Sequence, residues 1–396
     1  MKLVEVGSNP AYQKEFLQFP VRLYQHDSCW IRPLDKDINT VFDPGVNKLF
    51  KEGKCVRWLL LDDTGNTLGR VAAFINRKTA VADNEQATGG MGFFECVDDQ
   101  AAAFQLFDAC RDWLASQGME AMDGPINFGD RDRWWGLLVD GFNEEPNYGM
   151  PYTKPYYIPL FEAYGFREYY QQHTFYLPIP EEKVRKVLHP TVLERSQRIL
   201  EDPTYEFRTI QKSNLPKFAA DFAEIYNKAW AKHLSVNDMS AERALKIMEQ
   251  MKPVMDEQLV WFGYHVPTEQ PIAFFVMLPE LNQYFKHVDG KMDLLGKLKF
   301  LYYKLRKTNS KAFGVIFGVV PDFQGKGIES AIAIAFSKIA WAQNFQYEHL
   351  ELNWIGDFNV KMIRFAKLLG GVIIKRHITY RYLFDRTKEF KRHPII

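Results

Sequence analysis

The stretch GVIFGVVPDFQGKGI at residues 314–328 constrains the fold more than any other segment of the chain. Its first seven residues have strand composition, and Pro321 ends that run. From Ile328 the apolar positions fall at Ile328, Ala331, Ile332, Ala335 and Ile339, one face of a helix. Strand, glycine-rich turn and helix start therefore follow one another directly. The first turn of a helix carries unpaired N–H groups and a partial positive charge. Gly325 and Gly327 put no Cβ in the way of an anion approaching that backbone, and Lys326 adds a full charge. The segment predicts either an anion-holding turn or a tight strand-to-helix connection without a ligand.

The same residues resemble motif A of the GNAT acyltransferase superfamily, whose pattern is Gln or Arg, two residues, Gly, one residue, then Gly or Ala. Gln324 and Gly327 fit, and Pro321, Asp322 and Phe323 match the usual lead-in. Glu329 stands where the family has a small residue; its position off the apolar stripe predicts that it faces solvent. The resemblance implies that acetyl-CoA or another acyl-CoA is held as co-substrate. Val319, Val320, Gln324, Gly325, Lys326, Gly327 and Ile328 would then form its binding turn, and residues 314–320 would pair with the pantetheine arm. Downstream, residues 347–354 alternate as a strand, with Leu350, Leu352 and Trp354 on one face and His349, Glu351 and Asn353 on the other. Residues 359–369 read as a helix ending at Gly370 and Gly371. This is similar to motif B of the family, in which Asn359 would belong to the cofactor site. Ala366 occupies the place where many members carry a tyrosine that protonates the leaving thiolate. Residues 379–384 read as the strand that closes this half, and the likeness spans roughly residues 204–385.

At 396 residues the chain is too long for one ordinary core, and its first half repeats the plan of its second. Residues 56–61 and 69–74 read as a hairpin, as do 259–264 and 272–276. Residues 91–97 and 100–116 form a strand and helix matching the motif A unit, and 157–164 forms a short helix ending at Gly165. Residues 175–177 read as the first half's closing strand. The fold class expected is α/β: two tandem GNAT-like domains, each a mixed, mostly antiparallel twisted sheet flanked by helices. The division expected is a first domain at 1–180, a helical connector at 181–203 and a second domain at 204–396. At the phosphate turn the first half has Glu95, Asp98 and Asp99 and no glycine or lysine. One of the aspartates is expected to cap the helix and take the N–H groups an anion needs, so this copy is read as having lost the cofactor site. The insertion at 124–150, with Arg131, Arg133, Trp134, Trp135 and Tyr148, either packs the interface between the halves or lines an acceptor pocket.

If the second half binds acyl-CoA, an amine attacks a thioester and must lose a proton. Glu351 is the first candidate base and His349 the second. The N–H of Val319 or Val320 is a candidate oxyanion donor. The function expected is an acyl-CoA-dependent N-acyltransferase, most simply an acetyltransferase, acting on a small-molecule or peptide amine. A non-catalytic acyl-CoA or small-ligand binding protein is the alternative, and an aminoacyl-tRNA-dependent transferase of the tandem type is a further one. No G-x-S-x-G, H-E-x-x-H or full Walker A is present. Four scattered cysteines argue against zinc or disulfides, and no metal is expected. A net charge of +1 argues against a nucleic-acid partner, and the basic run Lys297, Lys299, Lys304, Arg306, Lys307 is read as a solvated face. The N-terminus lacks a signal-like apolar region, and no run of 18 apolar residues occurs, so no membrane partner and a cytoplasmic location are expected. The sequence sets no oligomeric state.

Overall fold

The computed structural model describes residues 1–81, 84–230, 238–342 and 344–395. Its strands are β1 (Lys2–Glu5), β2 (Gly53–Leu61), β3 (Thr67–Asn76), β4 (Thr88–Cys96), β5 (Ala121–Gly124), β6 (Leu137–Asp140), β7 (Arg167–Pro178), β8 (Tyr205–Thr209), β9 (Val260–His265), β10 (Gln270–Pro279), β11 (Lys311–Val319), β12 (His349–Gly356) and β13 (Val372–Leu383). They make one 13-stranded sheet in the order β1-β2-β3-β4-β5-β13-β7-β12-β11-β10-β9-β8, with β6 also on β13. The two hairpins are β2–β3 and β9–β10. In each half one parallel pair, β4–β5 or β11–β12, is bridged by a helix, Gln100–Ser116 or Ile328–Ala340. The chain is thus built on one plan used twice.

The closing strands correct the sequence reading. β7, the last strand of the first half, pairs with β12 of the second, Leu352 facing Phe175. β13, the last strand of the chain, pairs with β5 of the first half, Tyr380 facing Gly124. Each half is finished by the other's strand, and β7 and β13 pair with each other along the seam. Period-2 patterning sets the face of a strand but not its neighbour, and so could not reveal this exchange. Residues 181–203 hold two helices, Glu181–Val187 and Pro190–Leu200. The second packs against Ile328–Ala340, whose Ile328, Ala331, Ile332 and Ala335 are buried as their spacing required, while Ile339, read on the same face, is exposed. Fully burying an isoleucine side chain stabilises by about 2 kcal/mol. No helix among the described residues is long and apolar enough to cross a membrane.

Because β13 completes the first half, removing residues 372–396 is expected to unfold that half as well. The buried Trp58, which packs edge-on against Trp113 at 6.4 Å, reports it by its emission. A native Trp58 signal in the truncated chain would show that the exchange is dispensable.

Candidate functional site

The parallel register between β11 and β12 runs from Lys311–His349 to Gly314–Leu352 and stops. Beyond it β11 stays on β10 as far as Val319, while β12 follows β7 through an irregularity between Leu352 and Ile355. The strands therefore splay into a V whose apex is Gly314. A Cβ there would lie 2.9 Å from the end of the Leu352 side chain, so the two strands run close at this point. Val276 faces Ile316 and Met277 faces Gly314, which leaves Val315 as a bulge at the start of the splay.

The ladder decides which amides face the V. Val320 N–H donates to the Ile272 carbonyl at 2.8 Å, so it is spent on β10 and is no oxyanion donor. Its neighbour Val319 sits at a non-hydrogen-bonded pair, so its N–H and C=O point away from β10 into the opening. The Val319 carbonyl accepts from Gln324 Nε2 at 2.9 Å, which gives Gln324 a structural task. Gly325 and Gly327 have φ of +72° and +102°, values that only glycine adopts without strain. Gly327 is pressed against helix Pro190–Leu200, where a Cβ would stand 3.3 Å from the Arg195 carbonyl oxygen. Among the described residues the N–H groups of Lys326, Gly327 and Ile328 have no hydrogen-bond partner. Lys326 Nζ lies 5.2 Å from the centroid of the Phe323 ring. The turn thus keeps a cradle of donors and one cation.

Glu329 does not point freely to solvent as expected: its Oε1 accepts the Gly325 N–H at 3.0 Å. The carboxylate reaches back across the first turn because the positive helix end and an unpaired amide attract it. One donor of the cradle is therefore occupied by the protein's own anion. Asn359 accepts from Met362 N–H at 3.1 Å and caps helix Val360–Leu368. Ala366 lies on the buried side of that helix, in the core of the second half.

Glu351 is not placed as a base. It is 1% exposed, with Lys311 Nζ and Lys375 Nζ each 2.6 Å from its carboxylate and Asn147 Nδ2 at 2.7 Å. Burial opposes its charge, but the two ammonium groups prevail and hold its pKa at about 2. A carboxylate so held accepts no proton at neutral pH. The two lysines respond differently: burial draws Lys375 below the usual range despite Glu351, whereas Glu351 and Glu280 raise Lys311. Contact with both places Glu351 firmly in its ionised form. Glu280, also fully buried, accepts Tyr148 N–H at 2.6 Å and Asn282 N–H at 3.1 Å, so the cluster holds two acids and two bases. His349 stacks on Tyr176 with centroids 5.2 Å apart, and its Nε2 lies 3.9 Å from Glu351. Burial and Lys311 lower its pKa, so it is neutral at neutral pH. It stands three residues below the apex, about 10 Å away at strand rise.

The insertion packs the interface, the first of its two readings. Tyr148 lies against Phe285 at 5.2 Å and bonds Asp37, and Trp135 Nε1 donates to the Tyr170 hydroxyl at 2.7 Å. One part of it also reaches the V: Trp354, just past the splay on β12, donates its indole N–H to the Arg131 carbonyl at 3.1 Å. The next residue, Asp132, is exposed, yet surrounding protein raises its carboxyl above the usual range, with Arg133 opposing and Asp130 adding to the shift. Nothing in the sequence marks Asp132, which sits in an unremarkable run of alternating charge. Lys375 had a signal: it opens a basic run, Lys375, Arg376 and His377, between the apolar residues of one strand.

In the first copy every feature of the V is closed. Asp99 caps its helix through Ala102 N–H at 2.8 Å, as expected. Cys96 N–H, the counterpart of Val319 N–H, donates to the Tyr157 hydroxyl at 3.0 Å. Ile126 N–H donates to the Met91 carbonyl, and its backbone fills the space beside Gly92, where a Cβ would meet the Ile126 oxygen at 1.8 Å.

No protein-family model matches the chain. "Protein YghO" of Escherichia coli (strain K12) is 25% identical over 388 residues, covering 96% of this chain and 94% of that one. Among solved structures, a tandem GNAT protein from the clavulanic acid biosynthesis pathway superposes at TM-score 0.52 with 10% identity, covering 98% of this chain and 99% of that one. A GCN5-related glucosamine N-acetyltransferase region of a fungal multi-domain β-N-acetylglucosaminidase gives TM-score 0.52 at 12% identity, covering 96% of this chain and 38% of that one. The fold is a tandem GNAT fold, and identities this low speak to the fold alone.

Lys375→Met leaves Glu351 with one buried partner fewer, and urea denaturation is expected to show a loss of about 3 kcal/mol. A carboxyl depressed from 4.5 to about 2 contributes stability that is complete above pH 4.5 and is lost as pH falls towards 2. Over that window the stability of Glu351→Gln should fall less steeply than that of the wild type.

Proposed function

We propose that the second half is an N-acyltransferase whose acyl-thioester donor lies in the V between β11 and β12. The observation that carries the reading is the splay at Gly314 with Val319 N–H turned into it, above a turn that offers the N–H groups of Lys326, Gly327 and Ile328. A diphosphate fits that donor set, since amides at a helix start and a lysine are what such an anion recruits. A bound acyl thioester supplies the acyl group; the chain's own residues hold it, polarise its carbonyl and take up a proton. Val319 N–H is the donor placed for the carbonyl oxygen. Asp132, next to the Arg131 carbonyl that meets Trp354 beside the V and raised in pKa by the protein around it, is the proton acceptor we assign, in place of Glu351. In the balanced step the C–N bond forms and the C–S bond breaks. The amine proton passes to the Asp132 carboxylate, and the thiolate leaves with the coenzyme.

Glu329 is the obstacle, and its size decides the matter. One exposed capping hydrogen bond is worth about 1 kcal/mol, and the carboxylate's attraction to the helix end about 0.5. Micromolar binding corresponds to about 8 kcal/mol, so moving Glu329 aside weakens a diphosphate without excluding it. A second reading, binding without turnover, draws support from Ala366, which leaves the helix without a side chain to protonate a thiolate.

Calorimetry with acetyl-CoA tests the donor. Glu329→Ala should bind about tenfold tighter than the wild type, matching the energy of the cap it removes. Lys326→Glu, on an exposed side chain, should bind more weakly. Absence of heat from both the wild type and Glu329→Ala would remove acyl-CoA as the donor. If acetyl-CoA binds, thiol release over a panel of amines separates the readings. Transfer that fails in Asp132→Asn while binding persists supports the base assignment; binding without release by the wild type supports the second reading.

A further inference from the structure

Between β10 and β11 the chain forms helix Leu294–Leu305, with the sequence LLGKLKFLYYKL. Its inner side is fixed to the protein. Phe300 packs on Tyr284 at 5.3 Å and on Phe285 at 5.6 Å, Tyr303 stacks on His287 at 3.7 Å, and Lys304 Nζ donates to the Pro253 carbonyl. Its outer side is bare. Leu294, Leu295, Leu298, Leu301, Tyr302 and Leu305 are each between 50% and 76% exposed. Their spacing of i, i+1, i+4, i+7, i+8 and i+11 draws them into one stripe along the helix, about 18 Å long. Every other element among the described residues exposes at most one large apolar side chain. A contiguous apolar stripe of this kind marks a surface that something covers.

The charges say what covers it. At 3.6 residues per turn Lys299 and Arg306 border one edge of the stripe, and Lys297 and Lys304 border the other. Lys307 follows at the helix end, and residues 294–307 contain no acid. Among the described residues Lys297, Lys299 and Lys307 have no carboxylate partner within ion-pair distance. The nearest acids in sequence are engaged: Asp293 caps the helix through Gly296 N–H at 2.9 Å, and Asp289 pairs with Arg32 at 3.3 Å. A second copy docked face to face would set these basic rims against each other. Lipid phosphates would meet them with opposite charge while the acyl boundary accepts the leucines. Lysine stems suit that edge, because they bury their methylenes and keep the ammonium at the headgroups.

We propose that helix Leu294–Leu305 is an interfacial anchor that seats this protein on an anionic phospholipid surface, with the leucine stripe below the headgroups and the flanking lysines on their phosphates. The helix lies on the bilayer and does not cross it. Lys297, Lys299, Arg306 and Lys307 are exposed, as the solvated-face reading had them, and the proposal sets a lipid surface against that face because the leucines between them share it. The inference stands apart from the acyl-transfer proposal and is read out by binding alone.

Co-sedimentation of the full chain with vesicles tests it. Binding is expected to vesicles of phosphatidylcholine mixed with phosphatidylglycerol, with little binding to phosphatidylcholine alone and loss of binding in high salt. The double substitution Leu298→Asp with Leu301→Asp should abolish binding. Lys297→Gln with Lys299→Gln should weaken it roughly twentyfold, at about fivefold for each charge. All four side chains are exposed, so the far-UV circular dichroism and Tm of both variants should match the wild type. In Leu298→Trp the emission should shift to the blue on addition of the mixed vesicles. No binding to the mixed vesicles, or binding indifferent to the leucine pair, overturns the proposal. So does a concentration-dependent dimer that the leucine pair dissociates in a chain that ignores vesicles, since a second copy would then be what covers the stripe.

Discussion

The buried pairing of Glu351 with Lys311 and Lys375 is the interaction on which the joined sheet depends. Its three charges come from β12, β11 and β13, and Asn147 of the first half closes the ring around the carboxylate. β7 runs between β12 and β13, so the Glu351–Lys375 contact spans the strand that the first half lends to the second. A strand pair alone can slip by a residue, since backbone ladders are alike at every step. Burying a charge without its partner costs several kcal/mol, and that penalty singles out one register of the exchanged strands. Glu280 helps to raise Lys311, while burial raises its own carboxyl above the usual range.

The local elements were legible because period and turn chemistry act over a few residues. The helix Gln100–Ser116 and the helix Tyr157–Tyr164 with its left-handed cap at Gly165 follow from apolar spacing and from glycine at the stop. The glycine turn was legible for the same reason: positive φ at Gly325 and Gly327 is a local demand that glycine meets without strain. Partnership between distant strands was not legible. Nothing within β7 or β13 says that each crosses the seam. Glu351 was misread as a base for the same cause, since a polar residue on a half-apolar strand looks alike whether it faces a cleft or two lysines. Asp132 was invisible because its raised pKa arises from protein folded around it. The Lys375 ammonium was open to notice, since a lysine between the apolar residues of a strand needs a buried acid.

The two copies diverge by who fills the V. In the first, Asp99, Tyr157 and the Ile126 backbone satisfy the amides that the second leaves open. Unpaired buried amides are costly, so a copy that holds no ligand is stabilised when its own side chains take their place. Glu329 is a partial form of the same solution. It meets one amide from an exposed position, where the bond is weak enough for a stronger anion to displace it. The second copy therefore stands between the open and the filled arrangement of these amides, with a single cap on Gly325 N–H.

Exchange of closing strands ties the first copy to the second although its own V is closed. Its sheet edge is where β13 docks, and β7 is one wall of the second copy's core, with Phe175 and Leu177 among the residues packed around helix Ile328–Ala340. Without either strand both cores would open. The second copy also carries a longer connection here: 31 residues lie between β10 and β11, counted from 280 to 310, against 11 between β3 and β4, counted from 77 to 87. The longer connection holds the leucine stripe and leads into the foot of β11, while the glycine turn leaves from the strand's other end. Nine strand residues, roughly 30 Å of extended chain, separate them. A surface gripped at the foot therefore leaves the anion turn at the far end of the same strand, away from the phosphates that would compete for it.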